Sequence, residues 1–124
     1  MLVGFRVLVV DDEPAARDLL NSVLAYCGAL VTLAPSARAA LAATRTIAPD
    51  VIVVALEMAG EDGFWLVREL RASPGSLAIP VIAVADDRER GPDRTLAAGF
   101  DAHLRRPVDP WELCRIVAEV ARKP

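Results

Sequence analysis

Six consecutive apolar residues, Val51 to Leu56, lie near the middle of the chain and end at an acidic, glycine-flanked loop running to Gly63. A continuous apolar run of this length is the pattern of a strand buried on both faces, which requires helices above and below a parallel sheet. In an open α/β sheet, the carboxyl end of a central strand is where chemistry is normally placed. Here that end presents Ala55, whose methyl group does no chemistry. Glu57 follows two residues later, and strand alternation can turn it towards the same side.

The rest of the chain repeats the alternation. Phe5 to Val10 reads as a first strand, and Asp11-Asp12-Glu13-Pro14 closes it. Pro14 suits the first turn of a helix, and the carboxylates suit its positive end. Leu19, Leu20, Val23, Leu24 and Cys27 recur at helical spacing until Gly28 stops them. Ala29 to Ala34 is a second strand. Ser36 caps a second helix with Ala40, Leu41 and Ile47 on its apolar stripe. After the acidic loop, Phe64 to Arg71 is helical. Ile79 to Val84 is a fourth strand with Pro80 at its start. Asp86 to Gly91 is polar, Pro92 to Ala98 is a short helix, and Asp101 to Arg105 is a fifth strand. The last helix follows Pro110 and carries Trp111, Leu113, Cys114, Ile116, Val117 and Val120 on its apolar faces. Five strands alternating with five helices predict one α/β domain over residues 1–124, a doubly wound parallel sheet.

Composition excludes several classes. A net charge of −3 argues against bulk affinity for nucleic acid or for an anionic membrane surface. No apolar run is long enough to span a bilayer, and the N-terminus leads directly into a strand, so a cytoplasmic location is expected. Cys27 and Cys114 both fall at apolar helical positions, and they are expected to be buried free thiols. A nucleotide or flavin site needs phosphate-binding groups after the first strand, where Asp11, Asp12 and Glu13 would repel phosphate instead.

Taken together, several motifs in order resemble the receiver domain of two-component response regulators. They are Val7 to Pro14, Ala34 with Ala40-Leu41, Pro49 to Gly63, Ile79 to Ile82, Ala98-Gly99 and Arg106-Pro107. The resemblance covers essentially the whole chain. It implies a flavodoxin-like fold with strand order 2-1-3-4-5. It also implies a phosphorelay site, and most of that site is altered here. The acidic pair that holds magnesium is kept as Asp11 and Asp12. The phosphoaccepting Asp falls at Ala55, the hydroxyl residue at Ala85, the Lys at Arg106 and the aromatic switch at His103; Ala59 stands where the loop usually has Pro.

These departures carry physical consequences. Ala55 offers no oxygen, so an acylphosphate cannot form there. Magnesium wants near-octahedral oxygen ligands, and with one carboxylate gone Asp11 and Asp12 should hold it weakly. Arg106 keeps the positive charge in a longer planar fork and is expected to pair with Asp11 or Asp12. Three positions depart together, which is the pattern of natural degeneracy and not of one engineered alanine.

The resulting expectation is a non-enzymatic pseudo-receiver working through protein–protein contact. The alternative is a phosphotransfer-competent receiver with Glu57 as substitute acceptor, although a solvated carboxylate is the simpler reading of Glu57, as of Glu61 and Asp62. His103 reads as a partly exposed strand residue beside the last helix in preference to a switch. In the family, the fourth helix, fifth strand and fifth helix form the surface for output partners and dimers. Here that surface would comprise His103, Arg105, Trp111, Glu112 and Arg115, with Arg88, Arg90 and Arg94 nearby. Its occupant would be a protein partner, the chain's own output domain or a second copy. The family also implies a cis Arg106–Pro107 bond.

Overall fold

The computed structural model describes residues 1–86 and 91–121. The five strands are β1 (Arg6–Val10), β2 (Leu30–Ala34), β3 (Val51–Ala55), β4 (Val81–Ala85) and β5 (Ala102–Arg105). They alternate with α1 (Pro14–Tyr26), α2 (Ala37–Ala43), α3 (Gly63–Ala72), α4 (Pro92–Ala98) and α5 (Pro110–Ala121). All neighbours pair in parallel, in the order β2-β1-β3-β4-β5. This is the doubly wound arrangement that the alternation predicts.

Period-two alternation divides the strand residues between two cores. Val7, Val9, Val51, Val53, Ile82 and Val84 pack with Leu20, Leu24, Leu113 and Val117 of α1 and α5. Leu8, Val10, Ile52, Val54 and Ala83 pack on the other face with Ala37 and Ala40 of α2 and Leu66, Val67 and Leu70 of α3. Every residue of β3 and β4 is buried, as their unbroken apolar runs require. Burying one such Val or Leu contributes roughly 1.5–3 kcal/mol.

Several boundaries differ from the sequence reading, each for a local reason. Ala29 N–H bonds to Leu24 O, so it completes the end of α1 and β2 begins at Leu30. The second helix ends at Ala43, well before Ile47. Thr44 and Thr46 turn their hydroxyls back onto the carbonyls of Leu41 and Ala43, a competing bond that unravels helices. Pro80 has no N–H to give, and the Val81 N–H is taken by Asp101 Oδ2 at 2.8 Å, so β4 starts at Val81. Leu19 keeps helical spacing but faces solvent. The Arg106–Pro107 bond is cis, as the family resemblance implies.

Cys27 and Cys114 are not free thiols. They form a disulfide across 87 residues of sequence. The reason is topological: Cys27 caps the end of α1, Cys114 lies in α5, and both helices pack on the same sheet face. Cys114 is fully buried and Cys27 half-buried.

Arg71 holds the other face at the foot of the sheet. Its guanidinium donates to Gly99 O, Leu77 O (2.9 Å), Ile79 O (2.7 Å) and Asp101 Oδ2 (3.0 Å). One planar fork thereby ties α3 to the turn between α4 and β5 and to the segment before β4. A Lys cannot reproduce that fork. Arg71→Lys is expected to lower the unfolding free energy by about 2 kcal/mol, read as a shift in the urea midpoint at unchanged m-value.

Among the described residues, no helix is long and apolar enough to cross a membrane.

Candidate functional site

The carboxyl ends of β1, β3 and β4 meet at one edge of the sheet, and the site lies there. β1 delivers Asp11, which is 2% exposed. Its Oδ1 accepts from Glu13 N–H at 3.0 Å, and its carbonyl accepts from Arg17 Nη1 at 3.0 Å. The other carboxylate oxygen, Oδ2, accepts from Arg106 Nη2 at 2.7 Å. Arg106 follows β5 and is anchored through its own N–H to Ala85 O. Its Nη1 also lies 3.6 Å from the exposed Asp86 carboxylate. The expected pairing of Arg106 with the acidic pair is therefore made to Asp11.

Asp12 is exposed and does different work. Its Oδ2 accepts from Ala59 N–H at 2.8 Å, pinning the acidic loop to the end of β1. Ala55 closes β3 and is buried, and Ala85 closes β4 and is buried. Neither side chain bears a polar atom. Glu57 is exposed on the loop beyond Ala55. Its loop neighbours are engaged: Glu61 pairs with Arg38 at 3.1 Å, and Asp62 caps α3 by accepting from Trp65 N–H at 2.9 Å. Arg38 also lies over the Trp65 ring, 5.2 Å from its centroid.

Gly63 allows the loop to return to β3. A Cβ there would sit 3.0 Å from both Ala55 O and Leu56 Cα, both backbone atoms. Gly63→Ala should push the α3 start away from β3 and cost about 1–2 kcal/mol, with loss of the Ala59–Asp12 bond visible in amide exchange.

A divalent cation fits these residues poorly. Magnesium demands near-octahedral oxygen ligation at short range. Of the acidic pair, Asp11 has both oxygens engaged, one by a guanidinium, and Asp12 already serves a backbone amide. The third strand end adds only a methyl. Among the described residues, no group of three or more His, Cys, Asp or Glu is arranged to hold a metal.

His103 lies on β5, but its partner comes from α4 and not from the last helix. Nδ1 is 3.0 Å from Oγ1 of the fully buried Thr95. That hydroxyl also bonds Pro92 O at 3.0 Å. With its one hydrogen given to Pro92, it is left to accept from an Nδ1–H tautomer of His103. Sequence reading missed Thr95, because nothing local marks a threonine in a short helix as the partner of a strand histidine. Burial, and then the neighbouring Arg105 charge, lower the His103 pKa below the ordinary imidazole value of 6.5. The unfolded chain then binds the extra proton first, so stability is complete above pH 6.5 and falls as pH drops through 6.5 towards the folded value. His103→Gln is expected to flatten the acid side of a plot of urea midpoint against pH between about pH 5 and 7.

The candidate interaction face divides into two parts. Arg105, Glu112 and Arg115 are exposed, and Arg115 pairs with Glu119 at 2.9 Å along α5. Arg94 lies over Phe64, 5.8 Å from the ring centroid. Arg88 and Arg90 lie outside the described residues. Trp111 is 67% exposed, as a member of the expected interaction surface and not as the core residue that its helical spacing also allows. It lines a groove with Ser22, Val23 and Tyr26 of α1 and the capping Cys27. The α5 interaction residues therefore extend to the α1 side of the molecule.

The fold agrees with the chain's relatives. Residues 7–118 match the response regulator receiver domain. An uncharacterised 14.6 kDa protein of Leptolyngbya boryana is 41% identical over 119 residues, covering 95% of this chain and 91% of that one. The response regulator MprA of Mycolicibacterium vanbaalenii is 34% identical over 121 residues, and there the match spans only 51% of the relative's length. Among solved structures, a response regulator from Chloroflexus aurantiacus superposes with a TM-score of 0.91 at 26% identity, covering 96% of this chain and 98% of that one. The receiver domain of the sensor histidine kinase PA1611 from Pseudomonas aeruginosa, solved with magnesium coordinated in its cleft, gives 0.88 at 28% identity, covering 98% and 100%. The Asp11 cleft at the carboxyl edge of a 2-1-3-4-5 sheet thus belongs to a response regulator receiver domain.

Proposed function

We propose that this chain is a pseudo-receiver, a receiver domain in two-component signalling that acts by phosphorylation-independent protein–protein interaction. The observation that carries this reading is the pairing of a buried Ala55 at the β3 end with an Arg106 guanidinium on Asp11 Oδ2. Phosphoryl transfer needs an acceptor oxygen in line with the leaving group and a cation on the equatorial oxygens. Ala55 lacks the first, and Arg106 occupies the carboxylate that would recruit the second. In this reading Arg106 is a resident charge that takes the place of both metal and phosphate. Asp11 and Asp12 are a vestigial metal pair, and no catalysis is expected.

The partner surface is the outer part of α4, β5 and α5, comprising the half-buried His103 and the exposed Arg105, Glu112 and Arg115, with Trp111 at its far border. Its occupant is a protein partner, an output domain of the same polypeptide or a second copy. Residues 1–124 form the single receiver unit, working in the cytoplasm without direct nucleic-acid contact.

Acetyl phosphate with magnesium tests the reading. Intact mass is expected to stay unchanged after incubation. A phosphoryl adduct that disappears in Glu57→Gln would instead establish Glu57 as a substitute acceptor and overturn it.

A further inference from the structure

We infer that the Cys27–Cys114 disulfide is a reversible redox clasp that exchanges with low-molecular-weight thiols through Cys27 alone. The inference does not depend on the pseudo-receiver reading. The two sulfurs differ in access. Cys27 lines an open groove of about 340 Å³ between α1 and α5, together with Val23, Tyr26, Pro110 and Trp111. Cys114 has no exposed surface and packs among Leu24, Leu113 and Val117. Thiol–disulfide exchange proceeds on the sulfur that an incoming thiolate can reach. Burial in apolar surroundings keeps Cys114 a poor nucleophile towards reagents in solution.

The exchange balances without any further cofactor. A thiolate R–S⁻ attacks Cys27 Sγ and forms a mixed disulfide. The Sγ–Sγ bond breaks, and its electron pair leaves on Cys114 Sγ, which takes a proton. A second R–S⁻ attacks the R sulfur of the adduct. Its attack expels Cys27 as a thiolate, which takes a proton, and forms R–S–S–R, so the protein has gained two electrons and two protons. Oxidation by a small disulfide runs the same steps backwards, again through a Cys27 adduct.

The clasp sits at a structural junction. Leu2 N–H donates to Cys27 O at 2.7 Å, Cys27 N–H to Val23 O and Gly28 N–H to Ala25 O. Gly28 adopts φ +98°, and a Cβ there would meet Val3 Cγ2 at 2.9 Å. The clasp therefore adjoins the C-cap of α1, the N-terminal segment docked on it and the groove that carries Trp111, and amides there report its opening.

Glutathione is the probe. The oxidised chain is incubated with it under native conditions, acid-quenched, alkylated after unfolding and mapped by peptide mass. The expected result is a glutathione adduct on Cys27 with alkylated Cys114. On reduction, amide exchange is expected to rise at Leu2, Cys27 and Gly28. Folded Cys114→Ser should trap glutathione at Cys27 at least about tenfold faster than folded Cys27→Ser takes it at Cys114. An adduct found first on Cys114 would overturn the inference. So would two free thiols persisting in the folded wild-type chain after equilibration with oxidised glutathione. The wild-type mapping stands even if a variant does not fold.

Discussion

Reducing the Cys27–Cys114 bond is expected to lower the unfolding free energy by about 3–4 kcal/mol, the largest effect of any change considered for this chain. The bond closes a loop of 87 residues, and the entropy removed from the unfolded ensemble grows with the logarithm of loop length. The native fold does not need the bond to be continuous. The α1 and α5 cores are already filled by Leu20, Leu24, Leu113 and Val117. Reduced protein should accordingly keep its far-ultraviolet circular dichroism and superpose on the oxidised form in its sheet amides. It should unfold at clearly lower urea concentration, with a larger m-value because the uncrosslinked unfolded chain exposes more surface. Equal midpoints for oxidised and reduced protein would contradict this.

Arg106→Ala should cost about 2–3 kcal/mol. Asp11 is nearly inaccessible, and the substitution leaves its Oδ2 facing a space from which the guanidinium has gone. The loss falls below that of a fully buried pair because Arg106 keeps 27% of its side-chain surface in water, and Glu13 N–H still serves Oδ1. Asp11→Asn in the Arg106→Ala background should restore much of the loss, because a neutral amide needs no counter-charge. The double-mutant cycle measures the pair directly. Arg106→Ala should also raise magnesium affinity, since the cation then meets an unopposed Asp11 and Asp12. A variant as stable as wild type would mean that the guanidinium contributes nothing to the site.

Most of the fold could be read from residue pattern alone. The apolar runs of β3 and β4 have no other stable place than the middle of a covered sheet, and Gly28 and Gly99 mark helix ends by their left-handed backbone. The altered site was also legible. Ala55, Ala85 and Arg106 took their places through the resemblance to receiver domains, and charge pointed Arg106 to the acidic pair without choosing between Asp11 and Asp12; the fold made that choice. Features set by tertiary proximity were not legible. The Cys27–Cys114 bond, the four-way fork of Arg71 and the Thr95–His103 contact join residues whose spacing carries no periodic signal. The exposure of Leu19 escaped for a related reason, and helical spacing alone left Trp111 open between the core and the interaction surface. Helical spacing defines a stripe but not its width, and both lie at the margin of their stripes, beside the α1–α5 groove or facing solvent.

The central claim is that a resident Arg106–Asp11 pair replaces phosphorylation chemistry. Amide NMR titration with magnesium and then beryllofluoride, a phosphoryl mimic, tests it most directly. The account predicts at most weak magnesium shifts confined to Asp11 and Asp12, and no beryllofluoride response at Ala55, Ala85 or Arg106. Saturable beryllofluoride shifts that extend to His103 and Thr95 would contradict it, because they would show an acceptor and a coupled switch still working in this site.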